Sequence, residues 1–500
     1  MNLTPIAHSQ KYLRERQGIW SWLTTTDHKR IAILYLVSVT AFFVIGGATT
    51  GLLRVESLQP GGEVLAPEDF DRLFTLHGLF LVFFFLLPSL TTVLGGFLLP
   101  IVVGAGNVAF PRLNLVGWYI FLAAGALLTW STIHGAVDAG WTLSMPYSTD
   151  YSSGQLTGVI LGILLAGVSV GLMGLNLVVT IHRRRATEVS WSEIPVFAWG
   201  QYASGLMLAL LTPLLVAALL LLLRNNLGYP ALTDGPVGDA LLYKRLFWAY
   251  AHSAIHAPLL AGIGITTRLL TVFSGGVLHE RRKVIVAIFA VALFGLLSSI
   301  GGLTTGAQGL YSSVISPLFA LLIAVPCAVI IVQWLATLHH GSLRLTTPML
   351  YAYGFLGLFT IGGASGLFLA VTPLGTHLQS TTFSMAHMHY FAVGGVLTAF
   401  LGGLHDRWPM ITGRLYPALL ARAVAVAVFL GFNMMFLPQF LLGYQGKPIR
   451  SHTYPAEFQV LEVFSSAGAT ILVASLFVPA VYLSWSFFWG PRATGDAWNG

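Results

Sequence analysis

His387 and His389 stand two residues apart inside an apolar run, a spacing that turns two helical side chains about 200° from one another. They face opposite sides, so one metal ion cannot take both. Each can serve its own metal-bearing group, one on either flank of the helix. Neutral imidazole is a common axial ligand of haem iron, and two haems flanking one helix suit this pair. His77 lies near the start of another apolar run, at a depth matching that of His389 if both runs begin at the outer surface, so these two can grip one iron from two sides. His252 and His256, four residues apart, fall within about 40° of one helical face and can share a metal ion or a hydrogen-bond network. For any one of these histidines alone, donation to a neighbouring backbone carbonyl is an equal alternative; the pattern of five favours bound groups.

The elements that must position them are membrane-spanning. Of the 500 residues, 56% are hydrophobic and 9% charged, against about 25% charged in soluble globular chains. Segments long enough to cross a bilayer, about 20 apolar residues each, fall near 29–54, 74–104, 114–134, 156–182, 194–223, 241–274, 284–306, 313–338, 346–372, 381–404, 414–443 and 457–489. The expected fold is therefore an all-α integral membrane protein of about twelve helices in one polytopic domain. Residues 1–28 form a polar leading segment and 490–500 a tail. No Asp or Glu lies deep within any span. An ionisable residue inside a membrane is costly unless something binds it, which is why the histidines carry the functional reading.

Charge gives an orientation. Arg183, Arg184 and Arg185, then Arg281, Arg282 and Lys283, then Arg344, Arg407 and Arg414 fall in loops on one side. Glu63, Glu68, Asp69, Asp71, Asp138, Asp150 and Asp234 fall on the other. The basic side is cytoplasmic by the positive-inside rule, which puts both termini in the cytoplasm of a prokaryotic-type inner membrane. The net charge of +7 is a topology signal and does not point to nucleic acid. Cys327 is the only cysteine, so intrachain disulfides and cysteine-ligated zinc or iron–sulfur sites are excluded.

Several separate motifs, in order, resemble subunit I of the haem–copper oxidases, the family of cytochrome c oxidase. They are Trp22-Leu23 with Asp27-His28-Lys29, Leu76-His77-Gly78, Ala109-Phe110-Pro111-Arg112-Leu113-Asn114, Leu246-Phe247-Trp248, Trp334 through His339, Ala386-His387-Met388-His389-Tyr390, Trp408-Pro409 through Gly413-Arg414, Gly431-Phe432-Asn433 with Phe436-Leu437-Pro438, Gly446-Lys447-Pro448, and Tyr454-Pro455. The resemblance implies that His77 and His389 bind a low-spin haem and His387 a second, high-spin haem, of type a or b. It implies that Arg54 sits at the low-spin haem's periphery. Arg450 would hold haem propionates through charge-assisted contacts; the family's second arginine there is Ile449.

The departures gather where oxidase chemistry would be. The family's His-Pro-Glu-Val-Tyr reads His252-Ser253-Ala254-Ile255-His256, which keeps one copper ligand and loses the relay carboxylate and the tyrosine. The histidine pair that would complete the copper site falls on Gly301 and Gly302. Proton-route positions fall on Asn107, Ala254 and Ile330, and a magnesium-type His-Asp pair on Gln379-Ser380. The expectation is a haem-bearing electron-transfer subunit of a respiratory membrane complex, without copper or proton pump. Electrons would arrive from a cytochrome c, a copper protein or a quinol. Two alternatives stand beside it: an active oxygen or nitric-oxide reductase with a non-standard metal site on His252 and His256, and a haem-free structural subunit.

Overall fold

Hydrocarbon offers no partners to a backbone N–H or C=O, so a chain of this composition must satisfy its main chain within helices. The computed structural model describes residues 18–135, 137–152, 155–233, 235–304 and 314–493. The long helices are α1 (His28–Glu56), α2 (Pro67–Val102), α3 (Pro111–Ile133), α4 (Leu156–Arg184), α5 (Val196–Asn226), α6 (Val237–Ser274), α7 (Arg281–Thr304), α8 (Ser316–His339), α9 (Thr347–Ala370), α10 (382–412), α11 (Ala418–Tyr444) and α12 (Gln459–Trp489). Asp150 lies among the described residues, whereas Asp234, residues 1–17 and residues 494–500 lie outside them. Consecutive helices pack against one another most extensively, with α11 on α12, α4 on α5 and α3 on α4 the largest pairings. A phenylalanine cluster of Phe42, Phe80, Phe84 and Phe121 joins α1, α2 and α3.

Eleven of these helices are long and apolar enough to cross a membrane. The twelfth, α10, has two features that bear on the site. It is interrupted by a π-helical stretch at His389–Gly394 between Thr382–Met388 and Gly395–Thr412. Its far end also carries His405, Asp406 and Arg407, with Asp406 neutralised by Arg407 at 2.9 Å and Arg268 at 3.3 Å. The helix α2 is likewise π-helical at Val82–Leu86 and Ser89–Gly95, on either side of Pro88. Proline has no N–H to give and crowds the carbonyl four residues back, so the wider turn is the local solution, and such turns favour functional sites. The helix α6 breaks at Ile255, between Pro236–Ala254 and His256–Ser274. Pro258 cannot bond to the Ala254 carbonyl, and the break falls between His252 and His256.

Two backbone bonds tie the chain after α11 to the start of α10: Thr382 N donates to Lys447 O at 3.0 Å and Ile449 N to Ser380 O at 3.1 Å. This short ribbon holds the segment from Lys447 to Arg450 over one end of the bundle.

Candidate cofactor site

A single cavity of about 930 Å³ is lined by all five histidines together with Arg54 and Arg450. Helices α1, α2 and α6 to α12 contribute its walls.

On one side of α10, the rings of His77 and His389 are near-parallel, with centroids 6.5 Å apart and planes within 12°. Direct stacking would bring them much closer. A metal ion bonded to a nitrogen on each side at about 2 Å uses some 4 Å of that gap, and what remains is two ring radii. The spacing therefore fits one iron between them. Each ring is also oriented for it. His77 Nδ1 lies 2.6 Å from Thr50 Oγ1 and 3.2 Å from the Gly46 carbonyl. His389 Nδ1 lies 2.8 Å from the Met385 carbonyl, and its ring stacks on Phe436 at 4.3 Å. A carbonyl can only accept, so Nδ1 carries the proton and Nε2 keeps its lone pair for a ligand. His77 sits ten residues into α2, which begins at Pro67; it is deeper than the sequence placed it, because the helix extends through the polar Glu68-Asp69-Phe70-Asp71 turn.

On the other side of α10, His387 Nδ1 lies 3.1 Å from both the Gly362 carbonyl and Ser365 Oγ of α9. Its ring is stacked on Phe391, which also meets the edge of His256 at 5.7 Å. His252 and His256 have ring centroids 5.5 Å apart. His256 Nδ1 bonds to the His252 carbonyl at 2.9 Å. His252 Nδ1 reaches Ser298 Oγ at 3.3 Å, and that hydroxyl donates to Gly295 O. Among the described residues, no three His, Cys, Asp or Glu side chains gather at metal-binding spacing. Gly301 and Gly302 fall in the last turn of α7; their surroundings lie outside the described residues.

Arg54, in the last turn of α1, lines the cavity and bonds through Nη1 to Glu462 Oε2 at 3.0 Å. Arg450 is at the rim. Its Nε bonds to Asp71 at 2.6 Å and its Nη2 to the Asp138 carbonyl. Its φ of 62° is costly for a residue with a Cβ, of order 1–2 kcal/mol, and these bonds hold it there. Of the relay positions, Asn107 bonds to the Thr26 carbonyl at 2.9 Å, and Ala254 and Ile330 are buried.

Sequence reasoning missed Glu462. It sits one turn into α12, fully buried, and accepts from Arg54, from Lys447 Nζ and from Gln439 Nε2 at 3.3 Å. A glutamate inside an apolar run was the available signal; its nearness to the helix end disguised it. Burial pulls the Lys447 ammonium below its ordinary value, and Glu462 opposes that. The hydroxyls and carbonyls that orient the histidines left no sequence signal, since they come from other helices.

Residues 30–471 match the family model described as Cytochrome C and Quinol oxidase polypeptide I. The chain is 31% identical over 98% of its length to cytochrome c oxidase subunit 1 of Thermostichus vulcanus, covering 89% of that protein. It is 33% identical over 95% of its length to cytochrome c oxidase subunit 1 of Synechocystis sp., covering 86% of it. It is 35% identical over 93% of its length to a probable cytochrome c oxidase subunit 1-alpha of Streptomyces coelicolor, covering 81% of it. A solved haem–copper terminal oxidase dimer shares the fold, with a TM-score of 0.79 over 94% of this chain and 85% of that one at 17% identity. The chain belongs to the subunit I family of the haem–copper oxidases. It is a multi-pass membrane protein with a cytochrome c oxidase subunit I-like core.

Proposed function

We propose that this chain is the electron-transfer core of a respiratory membrane complex, carrying two haems of type a or b and no copper. The observation that carries the reading is the pair His77 and His389, each with Nδ1 tied to a carbonyl, their near-parallel rings centred 6.5 Å apart. When bound, haem iron supplies one-electron chemistry. His77 and His389 would hold one iron, and His387, on the far flank of α10, would hold the second. Arg54 and Arg450 supply positive charge at the cavity wall.

His252 and His256 cover the face opposite His387. Two imidazoles are too few donors for tight, selective copper binding, and Gly301 and Gly302 bring no ligand atoms. That side of the second iron is then open to small gases or closed by one of the two histidines. Asn107, Ala254 and Ile330 leave the relay positions without the ionisable groups a proton route needs. Other subunits, and a cytochrome c, a copper protein or a quinol as donor, complete the complex. The basic loops lie on the cytoplasmic side, as do both termini.

An optical spectrum with metal analysis of the purified protein tests this. Two haems per chain, one of them low-spin, without stoichiometric copper is the expected result; a protein without haem overturns it. The 5.5 Å approach of His252 and His256 beside His387 favours a second reading, an active oxygen or nitric-oxide reductase with an unusual metal site. Stoichiometric metal at that position would establish it. Carbon monoxide added to the reduced protein separates an open second haem, which binds it, from a closed one.

A further inference from the structure

The Arg54–Glu462–Lys447 cluster is the densest set of buried charges on the cavity wall, and nothing in the histidine scheme uses Glu462 or Lys447. The three groups come from separate places: the last turn of α1, the first turns of α12, and the ribbon segment after α11. The Glu462 side chain is 0% exposed, that of Lys447 7% and that of Arg54 13%. Both carboxylate oxygens are taken, Oε2 by Arg54 and Oε1 by Lys447, with Gln439 Nε2 at 3.3 Å and 3.5 Å from the two. Gln439 is itself fixed, its Nε2 lying 3.0 Å from Ser465 Oγ. All three charged residues, and Gln439, line the same cavity as His77 and His389.

We propose that Glu462 and Lys447, acting with Arg54, tune the reduction potential of the group held between His77 and His389. The inference rests on the reading of that pair as a haem site. The cluster carries one net positive charge. Salt and water screen buried charges far less than exposed ones, so each charge acts on the electron that arrives at the iron. Lys447 and Arg54 favour the reduced state; Glu462 opposes them and keeps the potential from rising further. A purely structural role, closing α1 onto α12, would leave the potential alone.

Potentiometric titration of the low-spin haem in the full complex reads this directly. Glu462→Gln removes the negative charge at nearly constant size and should raise the midpoint. The expected size is on the order of tenfold in the reduced-to-oxidised ratio at a fixed potential, about 59 mV for one electron. Lys447→Met should lower it. The double variant restores the wild-type net charge and should return the midpoint towards wild type, and it also serves if a single variant, left with an unpaired buried charge, fails to assemble. Unchanged midpoints in variants that keep the low-spin spectrum would overturn the tuning role alone. A wild-type protein with no low-spin haem would overturn the site reading and this inference with it.

Discussion

Gly366 of α9 lies beside the His387 ring. A Cβ added there would lie 3.0 Å from His387 Cε1, at least 0.4 Å inside the 3.4 Å edge of ordinary contact. The imidazole cannot simply slide away, because its Nδ1 is bonded to Gly362 O and Ser365 Oγ on the same helix. Metal–ligand distances tolerate about 0.2 Å, so a displacement of twice that strains the bond to iron. Gly366→Ala should therefore weaken binding of the second haem by about 10–100-fold, the range seen when ligand-orienting contacts are lost. The overpacking should cost about 1–3 kcal/mol of stability. The low-spin haem, on the other flank of α10, should keep its spectrum. The control is Gly51→Ala on α1, away from the cavity lining, where an added Cβ meets nothing within 4 Å. It should leave both haems in place and add about 0.5–1 kcal/mol through reduced backbone freedom in the unfolded chain. The assay is the haem-to-protein ratio with a reduced-minus-oxidised spectrum, alongside a thermal melt. Full occupancy and an unchanged second-haem spectrum in Gly366→Ala would refute the placement of iron on His387.

Replacing His389 or His77 with Ala should abolish the low-spin spectrum, since each would supply one of the two nitrogens holding that iron; a surviving low-spin signal in His389→Ala would sink the pairing. Vesicles holding the complete complex should show no proton ejection attributable to this subunit, given Asn107, Ala254 and Ile330; acidification beyond the scalar chemistry would count against that. Copper analysis should find no stoichiometric metal either in the wild type or after His252→Ala; a bound copper lost on that substitution would restore the reductase reading.

The spans were legible because hydropathy over 20 residues is a strong signal: α4, read as 156–182, runs Leu156–Arg184, and α11, read as 414–443, runs Ala418–Tyr444. The departures have physical causes. The α2 helix starts at Pro67, seven residues early, because proline and two acids make a good first turn although they lower local hydropathy. The π-helical turns at His389–Gly394 and beside Pro88 depend on packing across helices, so no periodicity announces them. The five histidines singled out in the sequence line one cavity. Glu462 on the same wall was not legible, nor were Gly46, Gly362 and Ser365 visible as the groups that orient two of the rings. Each of those roles exists only once α1 has met α2, or α9 has met α10.

His387 and His389 are joined by two peptide units. Their separation is thus a matter of bond lengths and about half a helical turn, and no breathing between helices can change it much. Groups seated on these two rings would ride together through thermal motion, pressure or the docking of a partner. The spacing between them would be among the most invariant distances in the molecule, while the gaps from His389 to His77 and from His387 to His256, which cross between helices, would be the ones that respond.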